Sequence, residues 1–72
     1  MSEQQSPMLE IARRVHEARL AAGWSQNYLA DRAEVSRPSV ARVERGDDVS
    51  TATLGKIAET LGLALELKSQ AD

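Results

Sequence analysis

Cysteine is absent from this chain and histidine occurs once, as His16. The first absence removes disulfides and thiolate metal sites, and a lone imidazole has no partners at ligand spacing with which to build a zinc site. No apolar run approaches the roughly 20 residues that span a bilayer. The opening MSEQQSP has neither the basic nor the apolar segment of a secretory leader, so the expected location is cytoplasmic, with no membrane partner. There is no glycine-rich phosphate loop, no nucleophile and base at a recognisable spacing, and no metal-binding cluster. Catalysis is therefore not expected, and neither is a cofactor. Internal repeats, low-complexity tracts and interdomain linkers are missing as well.

What remains is one short domain. Seventy-two residues lie close to the size at which a hydrophobic core barely holds unaided, so self-association is a natural supplement. The formal net charge of −2 argues at first against a polyanionic partner. Its distribution argues the other way. Residues 13–45 carry seven arginines against Glu17, Asp31, Glu34 and Glu44, a balance of +3 that leaves −5 for the rest of the chain.

Residues 1–6 are expected to form a polar, flexible N-terminus. Ser6 and Pro7 supply a cap and a first-turn proline, and Leu9, Ile11, Val15 and Ala18 recur at helical spacing. A first helix is expected over Pro7–Ala22, ended by Gly23, with Arg13, Arg14 and His16 on its wet side. A serine cap flanked by apolar residues then occurs three times. Trp24, Ser25 and Leu29 open a second helix, expected over Gln26–Ala33. Val35, Ser36 and Val40 open a third, over Arg37–Arg45, with Pro38 in its first turn and Gly46 as its stop. Val49, Ser50 and Leu54 open a fourth, whose buried stripe is Leu54, Ile57, Ala58 and Leu61 and whose stop is Gly62.

At about 100° per residue, the third helix puts Val40 and Val43 on one side. Arg37, Pro38, Ala41, Arg42 and Arg45 fall on the other. Three long cations separated by small or flat residues make a surface that approaches a groove closely while guanidinium forks reach base edges or phosphates. The bland alternative is that these arginines only keep a small helix soluble.

Gly23, Ser25, Gln26, Leu29 and Ala30, followed by Val35, Ser36, Val40, Arg42, Val43, Glu44 and Gly46, resemble the helix-turn-helix of the Cro and phage-repressor (XRE) family. The likeness covers about residues 9–62. It implies a mainly all-α, lambda-repressor-like four-helix domain over residues 7–62 whose third helix reads duplex DNA. Arg37, Pro38, Ala41 and Arg42 are then the base-reading candidates, and Ser25, Gln26, Asn27, Tyr28, Ser36, Ser39 and Arg45 the phosphate-binding ones. Tyr28 is equally well read as an amphipathic surface tyrosine. Pro38 departs from the glutamine or serine common at its position, which breaks any direct transfer of base preference. The resemblance also implies that Arg19 pairs with Glu44 as a structural clamp. The turn Ala33–Glu34–Val35 lacks the glycine of many relatives, which makes Glu34 the candidate for a left-handed backbone.

Leu63 to Lys68 alternates with strand periodicity and resembles the C-terminal strand of HipB-like antitoxins. A lone strand needs a partner, so this segment is expected to pair with its copy in a homodimer through Leu63, Leu65 and Leu67, residues 69–72 forming a tail. The same residues also suit a short fifth helix. The function expected is that of a sequence-specific transcriptional regulator, a repressor on an inverted-repeat operator in double-stranded DNA and hence associated with the nucleoid. The alternative is an antitoxin that also binds a toxin protein.

Overall fold

The computed structural model describes residues 7–63. Four helices follow one another: α1 (Pro7–Ala21), α2 (Gln26–Ala33), α3 (Arg37–Arg45) and α4 (Thr51–Leu61). The expected flexible N-terminus, the strand residues Leu65 and Leu67 and the tail lie outside the described residues. Among those described there is no strand, and no helix is long and apolar enough to cross a membrane.

Serine hydroxyls open the last three helices by accepting a main-chain N–H three residues on. Ser25 accepts from Tyr28, Ser36 from Ser39 and Ser50 from Thr53, at 3.0, 3.2 and 3.1 Å. Each satisfies one amide that the helix cannot pair internally. All four helices also end in one way. A left-handed residue lets its own N–H and the next reach back to carbonyls of the last turn: Gly23 to Leu20 and Trp24 to Arg19, Glu34 to Asp31 and Val35 to Ala30, Gly46 to Val43 and Asp47 to Arg42, Gly62 to Glu59 and Leu63 to Ala58.

Three of those positions are glycine. The fourth is Glu34, at φ 60° and ψ 44°, where a side chain costs about 1–2 kcal/mol. The turn holds because Val35, brought in by it, packs against the core and its amide meets the Ala30 carbonyl at 3.0 Å. Trp24 and Leu63 take the same place after α1 and α4, half-buried on the core.

The core is Val15 from α1, Leu29, Ala30 and Ala33 from α2, Val40 and Val43 from α3, and Leu54 and Ile57 from α4. Each helix gives one stripe, so no pair of helices can close it alone. Two expectations need adjusting. α1 ends at Ala21 rather than Ala22, because the closing bonds of Gly23 and Trp24 replace its last turn. Leu9 is not in the stripe: it is 55 % exposed, and Met8, Ile11, Ala12 and Val15 face inward instead. Leu9 lies over Gly46, where an added Cβ would stand 2.8 Å from its Cδ2.

Candidate nucleic-acid interface

α3 is amphipathic with a clean division. Val40 and Val43 are fully buried, while Arg37, Pro38, Arg42 and Arg45 are exposed and Ala41 is half-buried between them. The two valines bind the helix to the core, which leaves the opposite side free of packing duty. Among the described residues the Arg42 side chain has no ion-pair or hydrogen-bond partner, so its guanidinium is uncommitted. Arg37 Nη1 donates to Gln26 Oε1 at 3.3 Å, linking the first turns of α2 and α3. Arg45 is tied to Asp47 in the following loop at 3.0 Å, both side chains being largely exposed. Asp47 engages Nε and Nη2, which leaves Nη1 open to a further acceptor.

Ser25, Asn27, Tyr28 and Arg37 line an open groove of about 550 Å³ between the starts of α2 and α3, with Ala30, Asp31 and Val35. The hydroxyls of Ser25 and Ser36 are also engaged as caps, and Ser36 Oγ lies 2.9 Å from Ser39 Oγ. Tyr28 is 46 % exposed and meets Trp24 edge to face at 5.0 Å between ring centres. The Arg32 guanidinium sits 5.7 Å from the Trp24 ring and 5.8 Å from that of Tyr28, a cation held on the outer side of α2.

Behind this outward face lies a charged knot. Arg19 is 8 % exposed, and its Nε and Nη2 donate to the two carboxylate oxygens of Glu44 at 2.7 and 3.1 Å. Its Nη1 donates to the Trp24 carbonyl at 2.7 Å, so all three arms of the fork are used. Glu44 further accepts from Gln26 Nε2 at 3.1 Å and sits 3.0 Å from His16 Nδ1. Burial alone would raise the Glu44 carboxyl; hydrogen bonds from Arg19, His16 and Gln26, with the Arg19 charge, more than offset it and hold the group below its ordinary range. The Arg19 guanidinium is pushed up, chiefly by its hydrogen bond to Glu44 and against desolvation. Three helices thus meet at one carboxylate on α3.

A helix-turn-helix family model matches residues 15–68. The chain belongs to the XRE-type helix-turn-helix family. An XRE-type protein of this kind is a DNA-binding regulator. The restriction-modification controller protein C.AhdI from Aeromonas hydrophila is 34 % identical over 79 % of this chain and 88 % of its own, with a TM-score of 0.71. A chain of the HipA-HipB-O2-O3 complex aligns over 97 % of this chain and 100 % of its own at 21 % identity and a TM-score of 0.76. A chain of a HipB-O1-O2 complex gives 96 % and 100 % at 24 % identity and 0.75. At those identities the HipB chains share the fold with this XRE domain. Among curated proteins there is no match to the sequence.

The resemblance implies that Gln26 supports the third helix, but the partners of Gln26 and of His16 in this XRE domain escaped the sequence. His16, assigned to the wet side of α1, turns its Nδ1 to Glu44 although its side chain is 48 % exposed. Gln26 bridges Glu44 and Arg37 with its two amide atoms. Both are contacts between residues 11 to 28 positions apart, and helical periodicity carries no signal at that range. Leu63, expected to serve dimerisation, is half-buried on the core of its own chain, where its amide bonds to the Ala58 carbonyl.

Proposed function

We propose that this chain is a transcriptional repressor that binds an inverted-repeat operator as a homodimer, each subunit placing α3 in the major groove of duplex DNA. The observation that carries the proposal is the division of α3, two buried valines against an outward face of Arg37, Pro38, Ala41 and Arg42. Arg37 and Arg42 read base edges, with guanine O6 and N7 the matching acceptors for a guanidinium fork. Pro38 and Ala41 are flat enough to let the helix approach and meet a thymine methyl. Gln26, Asn27, Tyr28, Ser25, Ser36, Ser39 and Arg45 set register on the phosphates, assisted by main-chain amides at the helix starts. The Arg19–Glu44 pair fixes the angle at which α3 is presented rather than adding much net stability.

Two-fold pairing places the reading helices about 34 Å apart, one turn of B-form duplex, so symmetry in the protein predicts symmetry in the operator. The similarity to C.AhdI, a restriction-modification controller, supports a regulator of a compact operon. The test combines selection of duplexes from a random-sequence pool with sedimentation of the protein. Enrichment of an inverted repeat and a dimer of the 7.9 kDa chain are expected. A monomer that shows no preference among duplexes at moderate ionic strength would overturn the reading.

A second reading, an antitoxin that also binds a toxin, draws on the near-complete overlap with a chain of the HipA-HipB-O2-O3 complex. A second chain that co-purifies stoichiometrically and comes from a neighbouring gene would favour it.

A further inference from the structure

We propose that His16 is a proton-responsive positioning residue for DNA recognition, and that its charging loosens the Gln26–Arg37 contact at the start of the reading helix. The inference rests on the DNA-binding reading above. It begins with one crowded atom. Glu44 Oε1 lies 3.0 Å from His16 Nδ1, 3.1 Å from Arg19 Nη2 and 3.1 Å from Gln26 Nε2, while among the described residues Oε2 is met by Arg19 Nε alone, at 2.7 Å. A carboxylate oxygen offers two lone-pair directions, so three donors share two places and strengthening one weakens another.

Arg19 is not the donor that yields. It is buried and anchored by Oε2 and by the Trp24 carbonyl. The contest is between His16 and Gln26. A neutral imidazole donates to Oε1 only with its proton on Nδ1, and then gives it an ordinary hydrogen bond; an imidazolium always donates there, with a charge-assisted bond of roughly twice the strength. The charged groups facing the ring are Glu44 from α3 and Arg19 from its own helix, while α2 supplies the neutral Gln26. Arg19 Nη2 lies 3.4 Å from Nδ1, so a charged ring is driven toward Oε1 and away from the guanidinium.

The consequence travels through a rigid plane. The Gln26 amide donates to Glu44 with Nε2 and accepts from Arg37 with Oε1, so losing the first contact frees the second. Arg37 then explores more rotamers before it meets DNA. Protons reach the half-exposed ring directly, and imidazole is the side chain that changes charge between pH 5 and 8. Glu44, held below its ordinary range, stays ionised throughout that window.

The test measures binding of a fluorescein-labelled duplex, recovered from a random-sequence pool by the wild type at pH 8, against a mixed-sequence duplex of equal length. Wild type, His16→Gln and Gln26→Ala are compared at pH 5.5 and pH 8, with melting curves at both. In the wild type the preference for the recovered duplex falls by about fivefold at pH 5.5, the weight of one neutral hydrogen bond. Taking the ratio cancels the sequence-independent gain from an added positive charge. His16→Gln and Gln26→Ala hold a constant ratio. A wild-type ratio that does not change, or one that falls equally in His16→Gln, overturns the proposal. Without DNA, the Gln26 side-chain amide resonance follows the imidazole titration in the wild type and not in His16→Gln; an amide indifferent to pH overturns the relay itself. A titrating amide in a protein with no duplex preference at pH 8 overturns the recognition role and places the failure in the DNA-binding reading.

Discussion

Removing the Arg19 side chain is the sharpest perturbation of this fold. Arg19→Ala deletes two hydrogen bonds to Glu44 and one to the Trp24 carbonyl, all at 2.7–3.1 Å. What is left is worse than what is lost. The Glu44 side chain, 7 % exposed, keeps a charge with no full countercharge, and the Trp24 carbonyl loses its side-chain partner. Breaking one side of a buried pair costs about 3–5 kcal/mol. A chain of 72 residues has about 4–11 kcal/mol in total. At about 4–8 °C per kcal/mol for a domain of this size, the midpoint should fall by roughly 12 °C or more. The assay is thermal and urea unfolding followed by far-ultraviolet circular dichroism at pH 7. A fall of less than about 5 °C would refute the reasoning. The companion double variant, Arg19→Met with Glu44→Leu, removes both charges and should recover most of the midpoint, since an apolar replacement of a buried pair is often neutral. It should still bind DNA more weakly, because the directional tie of α1 to α3 is gone; full affinity would show that the pair has no orienting role.

Glu34→Gly relieves the one non-glycine left-handed residue among those described and should stabilise the domain by about 0.5–1 kcal/mol, seen as a higher urea midpoint with unchanged slope; an unchanged or lower midpoint would mean that Glu34 is not strained. Arg42→Ala should lose about 1–3 kcal/mol of discrimination at particular base pairs, whereas Arg45→Ala should weaken all duplexes alike and reduce the salt slope by about 1. Equal losses on selected and random duplexes for Arg42→Ala would end its assignment to base readout. Acid titration carries a definite sign. The folded Glu44 carboxyl is depressed below its ordinary 4.5, so its contribution is complete above that value and is lost as pH falls through the lower folded one. Glu44→Gln should be less stable at pH 7 and should show a shallower loss on acidification, measured by urea midpoints from pH 7 to pH 3; parallel profiles would contradict this.

The bounds of α2 and α3 were legible because each end carries a chemical mark. Ser25 and Ser36 announce the starts, and the turn after α2 is found between two such marks even with Glu34 in place of glycine. Val40 and Val43 were equally plain, since a short helix with so few apolar residues has one way to face the core. Leu9 misled because Met8 and Leu9 are both apolar at the first turn, and only the tertiary packing decides between adjacent residues. His16 and the Asp47 partner of Arg45 were hidden for a related reason: a polar residue on a wet face carries no mark of what the next element brings beside it.

The outward positions of α3 carry neither core packing nor helix termination, duties that fall to Val40, Val43, Ser36 and Gly46. Anchoring and, on the proposed reading, address are therefore separable on this rod. On the proposed reading, exchange of Arg37, Pro38, Ala41 and Arg42 for other sets is expected to leave the chassis standing, so that duplicated copies of such a gene could drift to new targets through folded intermediates.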